Sequence, residues 1–358
     1  MNVAVLGVGL IGGSIGLATR ARAGAHVCGF DPDERVRARA RELGALDSVA
    51  DDVAGAVREA DVVFVTTPVR ALAETVRLAL ADAPPDAVVT DVGSTKRVLA
   101  DVGADRRLIG GHPLAGAETA GVEHAREDLF EGAVWYLTPA MGSTEGVLYE
   151  RLHRLLTAIG ARPTAIDADT HDRLLAAVSH LPHVLANLLV AQASSTLGEA
   201  APGRLPAVGP SFRDATRVAG ANSAIWTDIF ISNRDALIAA IDEFAARMAD
   251  VRAKLAAGDA AAIASWNESA RGERGGLLGA GAGDAGASEL RASVPNRPGV
   301  IAEIALALGG AGVNILDMAL SPSEDNSRGV VALWIGGERE AARAEELIAE
   351  LGFPVARA

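Results

Sequence analysis

Apolar and polar positions change their period three times along the chain. Over residues 1–165, short apolar runs alternate with stretches of helical spacing. Residues 3–6, 26–30, 61–66, 87–91, 108–112 and 134–138 read as strands, and residues 32–43, 72–80 and 145–159 as helices. Such alternation predicts an α/β domain with a parallel, doubly wound sheet. Residues 166–270 carry helical spacing throughout and predict an all-α domain. One long helix is expected over 170–196 and a second over 222–255. The first contains Pro182, which removes a hydrogen bond and kinks a helix at a cost of about 3 kcal/mol. Along the second, Leu237, Ile241, Phe244, Met248, Val251 and Leu255 alternate steps of four and three, the spacing of a helix–helix seam. Packing within the chain and a homodimer interface both fit that seam. Residues 271–288 are dominated by Gly and Ala and read as a flexible linker. Residues 289–358 restart as a small α/β unit in the order βαββαβ, a ferredoxin-like arrangement.

The 358 residues suffice for two or three domains, and 49% hydrophobic content supplies ample core. A net charge of −13 argues against nucleic-acid or anionic-membrane partners. It also means that an anionic substrate needs a local cluster of Arg and His. Cys28 is the only cysteine, which excludes an internal disulfide and a Cys-based zinc site. The N-terminus enters the first strand without a secretory pattern, and no uninterrupted apolar run approaches the roughly 20 residues of a bilayer span. A cytoplasmic protein is the expectation.

The stretch Gly7-Val8-Gly9-Leu10-Ile11-Gly12 joins the first strand to the first helix. Gly7 permits the tight turn, Gly9 lets a pyrophosphate approach the backbone, and Gly12 lets helix and strand pack closely. Free N–H groups and the dipole at the helix start then hold the anion. A second strand ends in Asp31, near the spacing at which an acidic residue binds a ribose 2′-hydroxyl. This is a Rossmann-type fingerprint for NAD. Asp31 would repel a 2′-phosphate, and Arg35 is the closest cation along the sequence. Ligands of such sheets bind beyond the carboxyl ends of the strands, where Thr67, Pro68, Asp91, Ser94 and His112 fall.

His112 lies in Gly110-Gly111-His112-Pro113-Leu114-Ala115-Gly116, read as a loop at the cofactor edge. An imidazole there can accept a proton from a substrate hydroxyl while hydride leaves the same carbon. His180 and His183, in Ser179-His180-Leu181-Pro182-His183, share a helix face. Without H-E-x-x-H or a nearby Cys they suit hydrogen bonding better than metal, and no metal is expected. Arg217, in Phe212-Arg213-Asp214-Ala215-Thr216-Arg217, can clamp a carboxylate through two parallel bonds.

These segments, with Asp91-Val92-Gly93-Ser94-Thr95-Lys96 and Trp226, resemble in their order the prephenate dehydrogenase family of tyrosine biosynthesis. The resemblance covers essentially the whole chain, and the S-H-L-P-H and G-G-H-P-x-A-G segments carry most of its specificity. It implies NAD-dependent oxidative decarboxylation of prephenate to 4-hydroxyphenylpyruvate. It implies His112 as acceptor of the hydroxyl proton, with Ser94 bonded to it or to the substrate. His183 and Arg217 would bind substrate, and His180 and Glu118 would line or gate the site. Ala117 departs from relatives that carry a hydroxyl residue there. Arogenate as substrate, alone or beside prephenate, stays open; a β-hydroxyacid or imino-acid reductase and a non-catalytic NAD and amino-acid sensor are more distant. The tail resembles an ACT domain, which implies an amino-acid effector such as tyrosine near Asn296, Pro298, Gly299 and Val300, completed by Asn314 and Ile315.

Overall fold

The computed structural model describes residues 1–102, 104–116, 119–139, 146–200, 208–280, 287–297, 300–322 and 327–357. Glu118, Ala117, Pro298 and Gly299 therefore lie outside the described residues. By its internal contacts the chain forms two compact units, Met1–Arg247 and Met248–Ala358.

The first unit begins with β1 (Asn2–Leu6), α1 (Leu10–Ala23), β2 (His26–Phe30), α2 (Glu34–Glu42), β3 (Ser48–Val49), α3 (Val53–Val57), β4 (Val62–Val65) and α4 (Val69–Asp82). It continues with β5 (Val88–Asp91), β6 (Leu108–Pro113), β7 (Val134–Thr138), α5 (Val147–Ala158) and β8 (Arg162–Ala165). The eight strands form one sheet in the order β3-β2-β1-β4-β5-β6-β7-β8. The order reverses between β1 and β4, which opens the crevice where ligands of such sheets bind. Both faces are covered. Val3 and Val5 pack with Ile15, Val62, Phe64 and Leu155 on one side, and Ala4 and Leu6 with Val63, Leu72, Val76 and Val89 on the other. That two-sided burial is why these strands read as continuous apolar runs rather than as alternation. Each fully buried aliphatic side chain contributes roughly 1.5–3 kcal/mol. The parallel expectation holds except at one place: β7 runs antiparallel to β6, and His112 faces Tyr136 across that pair. The strands β3 and β8 are two and four residues long and mostly exposed, too short and polar to be legible as apolar runs.

The helical part starts with α6 (Ala168–Leu175) and α7 (Leu181–Ala200), separated by one π turn over Ala176–His180. The continuous helix expected over 170–196 is thus interrupted just before Pro182. There the Leu181 N–H reaches back to the Ala176 carbonyl, one residue further than in an α-helix. A proline ring crowds the carbonyl four residues before it, and the inserted residue relieves that clash. After α8 (Pro210–Thr216) come α9 (Ser223–Ser232) and α10 (Arg234–Ala257). The helix expected over 222–255 is therefore two, broken at Asn233, whose buried side chain bonds to groups outside its own helix.

The second unit holds α11 (Ala260–Ala280), then β9 (Ala287–Pro295), α12 (Val300–Gly310), β10 (Ile315–Pro322), β11 (Arg328–Gly336), α13 (Glu338–Glu350) and β12 (Val355–Arg357). Of the stretch read as a linker, residues 271–280 continue α11. Ala, Leu, Arg and Glu are strong helix formers, and the Ser269–Glu273 and Arg271–Glu268 pairs support the turn despite its glycines. The four strands pair antiparallel in the order β10-β11-β9-β12, as a ferredoxin-like unit requires. Leu290, Ala292 and Val294 alternate inward against Val331, Leu333, Ile304 and Ile348, a core of its own.

Candidate active site

The nucleotide fingerprint is built as its glycines demand. Gly7 has φ +94°, a region that L side chains rarely adopt. A Cβ on Gly12 would overlap the Gly7 carbonyl oxygen, whereas one on Gly9 would meet nothing within 4 Å. Gly9 thus borders open space at the start of α1, whose first turn has no side-chain cap to take its N–H groups. Asp31 Oδ2 accepts the Val8 N–H at 2.9 Å and its Oδ1 the Asp33 N–H at 3.0 Å. Its carboxylate therefore ties the end of β2 to the glycine turn. The nearest bonded cation is Arg37, not Arg35: its Nη1 donates to the Asp31 carbonyl at 2.6 Å and its guanidinium lies 5.9 Å from the Phe30 ring centre. Arg37 comes one helical turn after the start of α2, so it faces back to the strand. The Arg35 backbone N–H is held by Asp33. Across the crevice, Thr67 Oγ1 is buried with no protein partner, next to exposed Pro68. An open cradle at Gly9, free N–H groups at Leu10 and Ile11, the Asp31 carboxylate and an orphaned hydroxyl at Thr67 fit a dinucleotide.

At the carboxyl ends of β5 and β6 the chain is locked by a buried ion pair. Lys96 Nζ donates to Asp91 and to the Gly111 carbonyl. Asp91 accepts the N–H groups of Gly93 at 2.7 Å and Gly111 at 2.9 Å. Burial pushes the Lys96 ammonium below the ordinary lysine value, against the pull of Asp91 and Asp172. Ser94 sits half-buried in this turn, and Thr95 Oγ1 donates to Ser232 on α9 at 3.0 Å.

His112 is in strand β6 rather than in a loop, and it is 8% exposed. The adjacent glycines are there for close packing: a Cβ on Gly111 would lie 2.5 Å from the Asp91 carbonyl oxygen. Burial, then the positive Lys96, then His171 and His180 hold the His112 imidazole well below the ordinary histidine value. Its Nδ1 lies 2.9 Å from His171 Nε2, and His171 Nδ1 lies 2.8 Å from Asp172 Oδ1. The Asp172 carboxylate also accepts the N–H groups of Lys96 and Arg97 at 2.8 and 2.9 Å. Burial raises the Asp172 carboxyl, but these hydrogen bonds outweigh it and leave the group below its ordinary value.

The helical part contributes the opposite wall. Asn233 Nδ2 donates to the Asp172 carbonyl at 2.8 Å and approaches His180 Nδ1 at 3.1 Å. Since an amide N–H₂ only donates, His180 Nδ1 accepts and its proton sits on Nε2. Burial lowers His180 to about 4, against the pull of Asp172. His183 Nδ1 donates to the Ser179 carbonyl at 3.1 Å, and its ring stacks on Trp226 with centres 3.3 Å apart. Burial and then the positive charge of Arg217 lower His183, although the Ser179 bond works against them. Trp226 also meets His180 edge-on at 6.1 Å. A cavity of about 250 Å³ opens beside it, lined by His183, Asn187, Val218, Trp226 and Phe230 among others. Arg217 itself is exposed at the start of the 3-10 turn Arg217–Gly220.

The structure thus links His112 to His180 through the chain His171–Asp172–Asn233, and His183 to Trp226 through stacking. Sequence reasoning missed His171, Asp172 and Asn233, and gave Lys96 no role. The available signal was an adjacent His-Asp pair early in a helix otherwise rich in apolar residues.

Comparison with known proteins adds three family matches. Residues 15–164 match the prephenate dehydrogenase nucleotide-binding domain, residues 167–267 its dimerization domain, and residues 288–353 the ACT domain. The chain is 32% identical over 356 residues to a prephenate dehydrogenase of Bacillus subtilis, covering 97% of this chain and 95% of that one. It is 37% identical over 268 residues to a cyclohexadienyl dehydrogenase of Zymomonas mobilis, covering 72% of this chain and 89% of the relative. A solved prephenate dehydrogenase from A. aeolicus, in complex with hydroxyphenyl propionate and NAD+, superposes with a TM-score of 0.69 at 27% identity. That likeness covers 77% of this chain and 98% of the other.

Proposed function

The chain belongs to the prephenate dehydrogenase family, and from that premise we propose that it converts prephenate to 4-hydroxyphenylpyruvate with His112 as the general base. The observation that carries the role is a buried, uncharged imidazole at the cofactor edge of the sheet, beside Lys96. NAD, when bound, supplies the hydride acceptor. His112 takes the C4 hydroxyl proton on the ring nitrogen not engaged with His171, while the C4–H pair leaves as hydride and C4=O forms. The bond to the ring carboxylate then breaks. Its electron pair runs through the ring to the C4 oxygen, CO2 departs, and the ring becomes aromatic. The resulting phenolate recovers the proton from His112. Lys96 keeps the base free between turnovers, His180 offers an Nε2–H donor, Arg217 receives a substrate carboxylate, and the His183 Nε2 beside it accepts from a substrate hydroxyl or water. The side chains therefore orient the substrate and move one proton.

His112→Asn is expected to lower kcat by about 10²–10⁴-fold with KM little changed, as for loss of a general base. Arg217→Gln should instead raise KM, because it removes a contact made before the transition state. Appearance of NADH with prephenate measures both, and near-normal kcat in the His112 variant would overturn the assignment. Arogenate is the second reading, supported by the likeness to a cyclohexadienyl dehydrogenase; the ratio of kcat/KM on the two substrates decides it.

The tail is proposed to bind tyrosine. Support comes from the ACT match and the independent core around β9, β11 and α12. The N–H groups of Asn296 and Val300 bond to Ser327 and Arg297 within the turn. The amino acid's carboxylate then belongs further into the first turn of α12; Ile315 and the exposed Asn314 follow the other end of that helix and would complete the pocket from a second such unit. Tyrosine titrated against the full chain should inhibit, and Asn314→Asp should weaken that inhibition with prephenate kinetics unchanged. Equal inhibition of both chains would move the effect to the active site.

A further inference from the structure

His112 could carry its single neutral proton on either ring nitrogen, and only one choice leaves a base facing substrate. We propose that His171 and Asp172 are positioning residues that fix His112 in the Nδ1–H form, so that its Nε2 lone pair is presented to the substrate hydroxyl. The inference rests on the reading of His112 as the base and adds how that base is kept competent.

The fixed end of this chain of contacts is Asp172. Asp172 is 1% exposed and its two oxygens accept from the backbone N–H groups of Lys96 and Arg97. A carboxylate in that setting accepts only, so His171 Nδ1, 2.8 Å away, carries a proton and donates it. With that one proton on Nδ1, His171 presents an acceptor at Nε2. His112 Nδ1, 2.9 Å from that Nε2, must donate. Its own Nε2 is left without a proton. The other charged or titratable groups around the two rings leave this order intact. Lys96 is engaged with Asp91 and the Gly111 carbonyl. His180 Nδ1 is held by Asn233. Tyr136 meets His171 ring to ring, edge-on at 5.7 Å. His171 is 0% exposed, so water cannot compete for its Nε2. A serine protease triad uses a carboxylate to the same end, with one imidazole instead of two.

The direct test is nitrogen NMR on the full-length wild-type enzyme labelled at histidine. His112 resonances are identified by their disappearance in His112→Asn. The expected spectrum shows a protonated, pyrrole-type Nδ1 and an unprotonated, pyridine-type Nε2 for His112. A protonated Nε2 in the neutral ring overturns the proposal; it is the pattern that a charged His171 donating to His112 would impose. Kinetics supply the second arm. His171→Leu removes the acceptor and is expected to lower kcat about 10–100-fold, as loss of an outer hydrogen-bond partner does, with prephenate KM nearly constant. His171→Gln places a carbonyl oxygen within reach of His112 Nδ1 and is expected to restore most of kcat. Equal losses in the Leu and Gln variants, or none in either, overturn the relay. The wild-type spectrum needs no variant to fold. An active His112→Asn enzyme alongside the expected tautomer would fail the base assignment and leave the tautomer assignment standing.

Discussion

His180 shows how one side chain couples this site to the stability of the fold. Burial holds it at about 4, whereas an unfolded histidine titrates near 6.5. Between those values the unfolded chain binds a proton that the folded chain refuses. Stability is therefore complete above pH 6.5 and is lost as pH falls towards 4. At pH 5 this one group removes about 2 kcal/mol. His112 and His183 act in the same direction, while Asp172 adds its own loss only below the ordinary carboxylate range. His180→Asn keeps an acceptor for Asn233 and removes the titration. Urea unfolding at pH 7 and pH 5 should show a drop about 2 kcal/mol smaller in the variant than in the wild type. At this scale His112, His180, His183 and Arg217 could be named as candidates from the sequence, because each stands in a segment that resembles the family's site motifs. His171 and Asp172 were not, since a buried polar pair in a helix looks like a solvated one until the packing is known.

The elements that carry the site are the ones whose regularity fails. The π turn Ala176–His180 and the break at Asn233 lie against each other, joined by the Asn233–His180 contact. Asn233→Ala removes the bonds to His180 and to the Asp172 carbonyl; that carbonyl keeps the Ala176 N–H, whereas His180 Nδ1 is left buried without its donor. The expected cost is about 1–3 kcal/mol in thermal or urea unfolding, with kcat/KM reduced as His180 loses its orientation. An unchanged kcat/KM would mean that α9 and α10 hold the wall unaided. Strands such as β1 and β4 were readable because two-sided burial writes an unbroken apolar run. β7 was readable as a strand too, but its antiparallel direction was not, because strand direction leaves no mark on local composition. The interruption before Pro182 was visible as a proline, but not that the chain would insert an extra residue there. The extension of α11 through residues 271–280 was hidden by its glycines.

For the whole molecule, the match to a dimerization domain and the exposed apolar side chains of the helical part agree. Leu188, Leu189, Ile231 and Ile238 are between 45% and 65% exposed in the single chain. The stretch Ala168–Thr196 is also long and apolar enough to cross a membrane by composition. Its buried His171, Asp172 and His180 belong to the site, and the residues it exposes suit the face of a second copy. Ile238→Glu is expected to shift the enzyme from dimer to monomer in sedimentation at micromolar concentration; an unmoved dimer would place the interface elsewhere. The stacking of Trp226 on His183 reaches beyond binding. The four tryptophans are distributed one to a region: Trp135 in the first core, Trp226 at the site, Trp266 on α11 and Trp334 on β11 beneath Arg274. An imidazolium quenches indole emission far more than a neutral imidazole does. Trp226 is therefore a built-in fluorophore whose brightness follows the protonation of its stacking partner, and an arriving ligand that parts the two rings announces itself as light.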